Sequence, residues 1–179
     1  MDLWKELEAG RESPRVVNAV VVTPKDSVNI YAYHAHSDFF VLTHVIHTPF
    51  RPPGDIGFIP RTYTDGSAPL DVIILSSSPT VRRTVVDIRP VALLRMTLDG
   101  VRADSVICAP AKDATMVDVN DVSGVNPHVL EEVRQFYESL FREQSRVLRI
   151  DEWLGADEAR RAVERAMGLY KRRFEAQEG

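Results

Sequence analysis

Cysteine is nearly missing from this chain. Cys108 is the only one among 179 residues, which excludes an intrachain disulfide framework and a thiolate metal cluster. It falls in an apolar run expected to be a buried strand, where a thiol is inert. No apolar stretch approaches the roughly 18–20 residues that a membrane helix needs. Blocks of Lys and Arg are absent as well, and 22 basic against 26 acidic side chains leave a formal charge of −4. The basic footprint of a nucleic-acid binder is therefore lacking. The opening Met1-Asp2-Leu3-Trp4-Lys5-Glu6-Leu7-Glu8 is acidic and amphipathic, unlike a signal peptide. There are no repeats, low-complexity tracts or linkers. These absences leave one cytoplasmic domain spanning 1–179, with 44% hydrophobic and 27% charged residues, enough to bury a real core.

What is present reads first as strands. Val16–Val22 is a continuous apolar run closed by Thr23-Pro24, as a buried strand stopped by a residue without an N–H would be. Ile30–His34 and Phe39–Ile46 flank Ala35-His36-Ser37-Asp38, which predicts a hairpin. Pro49, Pro52, Pro53 and Gly54 read as a loop. Asp71–Leu75, Val85–Arg89, Val91–Met96 and Asp104–Pro110 are further strands. The period then changes: Val129, Leu130, Val133, Phe136, Tyr137, Leu140 and Phe141 form a helical stripe after Pro127. A short strand at Val147–Ile150 precedes a second stripe from Ala159 to Phe174, whose Arg160, Arg161 and Arg165 read as its solvated face. Many strands followed by two helices predict an α+β fold, a small closed barrel with helices outside.

The order of segments resembles soluble family I inorganic pyrophosphatase from end to end. The matching stretches are Leu3-Trp4-Lys5-Glu6-Leu7, Gly57-Phe58-Ile59-Pro60, Pro69-Leu70-Asp71-Val72, Arg89-Pro90-Val91, Leu94-Arg95-Met96, and Pro127 to Val133, with Trp153 and Tyr170-Lys171 near the C-terminus. The resemblance implies a small closed OB-like β-barrel with two flanking helices, assembled as a homo-oligomer, often a hexamer. It also implies pyrophosphate hydrolysis with several Mg²⁺ ions held by a ring of carboxylates, since hard cations need converging oxygen ligands.

Position by position, the family's polar ring is replaced. Val22, Ala32, Gly66, Ala68, Leu98 and Ala103 stand where the family has acids. Ile30 and Ser105 replace lysines, His44 an arginine, Pro52 and Ile56 tyrosines, and Leu140-Phe141 a Tyr-Lys pair. Asp71 alone is in register, while Asp65, Asp99 and Asp104 each sit one position away. One carboxylate does not hold several Mg²⁺ ions beside a polyanion, and groups that act as a unit fail together. The replacements predict an apolar concavity, and small residues at 32, 66, 68 and 103 predict open volume there.

Two main readings follow from that pattern, beside a third in which residual inorganic pyrophosphatase activity survives. In the first, the pocket binds or transforms a hydrophobic small molecule as a metal-free isomerase, lyase or intramolecular cyclase. Its acid/base candidates are His44, Asp71, Arg51 and Asp55, with no metal and no cofactor. Val22, Ile30, Ala32, Pro52, Ile56, Gly66, Ala68, Leu98, Ala103, Ser105, Leu140 and Phe141 form the binding wall. In the second, the chain is a catalytically dead structural or regulatory subunit whose apolar replacements fill the core. His34, His36, His44 and His47 read as surface or core residues rather than zinc ligands.

Overall fold

The computed structural model describes residues 1–65 and 67–176. Its strands are β1 (Val17–Thr23), β2 (Asn29–His34), β3 (Phe39–Val45), β4 (Asp55–Ile59), β5 (Leu70–Ile74), β6 (Val85–Leu98), β7 (Val101–Arg102), β8 (Ser105–Pro110) and β9 (Leu148–Gly155). Helix α1 spans Pro127–Glu143 and α2 spans Ala156–Tyr170, extended by a π-helical turn at Lys171–Glu175.

Strands β1, β4, β5, β8 and β6 are paired in that order, and β6 pairs back onto β1, so the five close into a ring. All contacts around it are antiparallel except β5 on β8. Strands β7 and β9 extend β6, and β2–β3 forms a separate hairpin. The α+β barrel expected from the sequence is therefore present, with departures in its elements: the strand expected at 147–150 runs Leu148–Gly155, and β7 is unexpected. The runs 85–89 and 91–96 are one 14-residue strand. Pro90, having no N–H to give, leaves a pairing irregularity against β8 between Pro90 and Ala92 without ending the strand. The Pro-rich segment also hides β4. Gly57 makes that strand possible, because a Cβ there would run into the Val20 carbonyl of β1.

Apolar residues alternate between two faces. Val17, Ala19, Val21, Val72, Ile74, Leu93 and Val106 meet Ala159, Val163 and Ala166 of α2. Ile73, Leu94, Met96 and Ile107 meet Val133, Phe136, Tyr137 and Leu140 of α1, the i, i+3, i+4, i+7 spacing of a buried helix face. Helix α1 starts where Asn126 accepts the His128 N–H and Pro127 takes the first turn. Helix α2 begins at Gly155, and Asp121 accepts the Ala156 N–H at 2.8 Å from outside. A Cβ at position 155 would crowd that carboxylate. Trp4 anchors the N-terminus, fully buried and donating its ring N–H to the Thr62 carbonyl at 2.8 Å. No helix among the described residues is long and apolar enough to cross a membrane.

Candidate active site

Residues 63–65 and 68–69 before β5, the β6–β7 hairpin and one edge of α2 enclose a cleft of about 430 Å³. The hairpin turns through Asp99 and Gly100, both at positive φ, the geometry a two-residue hairpin loop prefers. The cleft brings together Ala68, Leu98 and Ala103 from the predicted wall with Asp71 of the predicted acid/base set, and Gly66 lies outside the described residues. Asp71 is exposed to the cleft, while protein packed around it disfavours its charge and pushes its pKa up to about 6.

Beside Asp71, Ser105 is buried and accepts a hydrogen bond from the Tyr137 hydroxyl at 2.9 Å. Burial holds that phenol well above its ordinary range, and the nearby Asp71 charge adds to the effect. Tyr137 escaped the site reading because its place in the helical stripe marks it as core, and its hydroxyl needs a partner there.

The other expected wall residues are elsewhere or closed. Ile30 and Leu140 are each 7% exposed and pack in one cluster with Ile56 and Phe141. They are core, not the rim of an open apolar pocket, because α1 settles onto them. Val22 belongs to a different cluster, with Trp4, Phe58 and Tyr170. Ala32 pairs with Val41 in the β2–β3 hairpin, and Pro52 is buried with its carbonyl accepting the Asp26 N–H.

Two of the acid/base candidates are structural. Asp55 is fully buried and accepts from the Lys25 and Thr80 N–H groups and the Ser76 hydroxyl, tying the β1–β2 and β5–β6 loops to the start of β4. It pairs with Ile74 while Asp71 pairs with Phe58, three residues apart along the strand, or roughly 10 Å. Arg51 donates to the Thr48 and Phe50 carbonyls and closes its own loop. His44 meets Glu143 at 2.6 Å, and that carboxylate also accepts the His47 and Thr48 N–H groups.

Arginines line the cleft instead: Arg95, Arg102, Arg146, Arg161 and Arg165. Arg161 and Arg165 are solvated, as expected, but their i, i+4 spacing also turns both toward the cleft. Each cleft acid but one is already engaged. Asp65 pairs with Arg165 at 3.3 Å, Asp104 with Arg102 at 2.8 Å, and Glu158 with Arg161.

The match to known proteins runs through this same chain length. Residues 19–171 match the family model described as inorganic pyrophosphatase. The chain belongs to that family. It is 36% identical over 174 residues to the inorganic pyrophosphatase of Halobacterium salinarum, covering 97% of this chain and 98% of that one. It is 33% identical over 175 residues to the inorganic pyrophosphatase of Haloferax volcanii, covering 97% and 99%. The inorganic pyrophosphatase structure from Thermus thermophilus superposes with a TM-score of 0.89 at 29% identity, covering 96% and 99%.

These findings overturn three expectations. Relatives at 33–36% identity over nearly the whole chain carry the pyrophosphatase name, so loss of that activity in favour of a cyclase, isomerase or lyase is not supported, nor is a dead structural subunit. A hydrophobic small molecule as the partner falls with them. The packing of Ile30, Leu140 and Phe141 supplies the physical reason against the hydrophobic ligand, since these side chains fill core rather than line an open pocket.

Family membership implies Mg²⁺ held by several carboxylates. Among the described residues no group of three or more His, Cys, Asp or Glu converges on a point that could hold a metal ion. Asp71 is the one cleft carboxylate there without an ion pair. The residues present do not fit that cluster of ions.

Proposed function

We propose that this protein hydrolyses inorganic pyrophosphate. The observation that carries the reading is the near-full-length identity to proteins named inorganic pyrophosphatase. The cleft is consistent with it. Asp71, with a pKa of about 6, is largely ionised at neutral pH and able to take a proton from an attacking water. Water adds to one phosphorus, the bridging P–O bond breaks, and two orthophosphates leave.

A cytoplasmic, soluble location belongs to the same reading, supported by relatives such as the soluble inorganic pyrophosphatase of Zea mays, 30% identical over 167 residues. Self-association does too. Phe39, Val41, Leu42 and Val45 are exposed on the β2–β3 hairpin, an apolar surface that a second copy would cover.

The test is orthophosphate release from sodium pyrophosphate by the purified chain in magnesium buffer. Two orthophosphates per pyrophosphate are expected. A folded protein that releases none above the buffer rate overturns the reading.

A further inference from the structure

Three carboxylates in and beside the cleft share one fate. Asp65 pairs with Arg165, Asp104 with Arg102, and Asp99 with Arg146 at 2.8 Å. Asp99 also accepts the Val147 N–H, and these hydrogen bonds, that from Arg146 first, hold its carboxyl below the usual range. All three arginines line the same cleft, with Arg95 and Arg161. A cation entering here would have to displace guanidinium groups and then sit beside them.

We propose that the cleft binds the oxygens of pyrophosphate directly through these guanidinium groups, without a bridging cation. The proposal rests on the pyrophosphate reading and names how that substrate is held. Guanidinium is charged at every physiological pH and its fork matches phosphate oxygens in pairs. Each arginine carries five N–H donors, and one surface ion pair leaves several unused.

The existing pairs are exchangeable. Arg161 and Arg165 are 68% and 58% exposed, and exposed ion pairs contribute little to stability. Arg95 is less well served than the rest: its Nε is buried without a partner and its other contact, to Glu152, is 3.6 Å. The cleft walls add Leu70, Leu93 and Ala166, apolar surroundings in which charge-assisted hydrogen bonds strengthen. Five arginines against Asp65, Asp71, Asp104 and Glu158 leave the lining near balance. Recognition is therefore local, by forks within reach of the ligand, rather than by a long-range field.

The experiment is isothermal titration of sodium pyrophosphate into the full chain, once in EDTA and once in magnesium, with hydrolysis measured in parallel. Saturable binding in EDTA is expected. The double variant Arg161→Met/Arg165→Met should weaken it by about tenfold or more, while Arg173→Met, exposed on the last turn and outside the cleft, should not. Thermal melting confirms that each variant folds. Binding that appears only with magnesium, or that ignores the double variant, overturns the proposal. Hydrolysis without binding in EDTA overturns it while leaving the pyrophosphate reading intact. Binding in EDTA without hydrolysis supports it and sinks catalysis instead.

Discussion

Glu143, the last residue of α1, meets His44 of β3 at 2.6 Å and takes the backbone N–H groups of His47 and Thr48. One carboxylate thus pins the β2–β3 hairpin and its following loop to the helix. The hydrogen bond from His44 is the first cause holding the Glu143 carboxyl below its ordinary range, and the two N–H bonds act the same way.

A depressed carboxyl pKa stabilises the folded state above the unfolded value, and that stability is lost as pH falls through the folded value. Glu143→Gln should lower the melting temperature at neutral pH, with a loss of about 1–3 kcal/mol for hydrogen bonds to a charged acceptor. The gap between wild type and variant should close on acidification below the ordinary carboxylate range. Thermal melts at stepped pH measure it. A gap that persists at low pH contradicts the assignment.

Asp71 behaves in the opposite sense. Its folded pKa, about 6, lies above the unfolded value, so the folded state is penalised as pH rises through the interval between them. Asp71→Asn should therefore melt higher than wild type at pH above 6 and match it well below pH 4. Its turnover should fall by about a hundredfold or more, as expected for loss of a general base. Wild-type turnover should climb through about pH 6 as the carboxyl ionises. A variant with unchanged turnover removes Asp71 from the chemistry.

Asp55 should report on folding alone. Asp55→Ala strands the Lys25 and Thr80 N–H groups and the Ser76 hydroxyl around a buried gap. A loss of about 2–4 kcal/mol is expected, read from the urea midpoint, with turnover per folded molecule unchanged. A stable, inactive Asp55→Ala would restore it as a catalytic candidate.

Leu140 and Leu98 separate core from cleft. Leu140→Ala removes a buried side chain from the α1 contact and should cost about 2–5 kcal/mol. Leu98→Ala, half-buried on the cleft wall, should cost much less. Equal losses would mean that α1 is not seated as described.

Much of the architecture was legible in the chain, and the reasons are local. Period-two and period-3.6 patterns mark most strands and both helices, and a helix start such as Asn126-Pro127 announces itself. Strand β4 stayed hidden because Gly54 and Gly57 are there for close backbone approach, which has no apolar signature. The site was less legible. Apolar character alone did not tell that Ile30, Leu140 and Phe141 would pack together or that Val22 would join another cluster. Nor does a sequence reveal that Asp65 reaches Arg165, one hundred residues along the chain. Such pairings depend on how α2 lies against residues 63–65, a tertiary fact.

Phosphorus nuclear magnetic resonance of sodium pyrophosphate incubated with the purified chain in magnesium buffer follows the hydrolysis itself. The pyrophosphate signal should be converted to orthophosphate, and Asp71→Asn should slow the conversion. A pyrophosphate signal that stays constant with folded wild-type protein, at the rate of buffer alone, would contradict it.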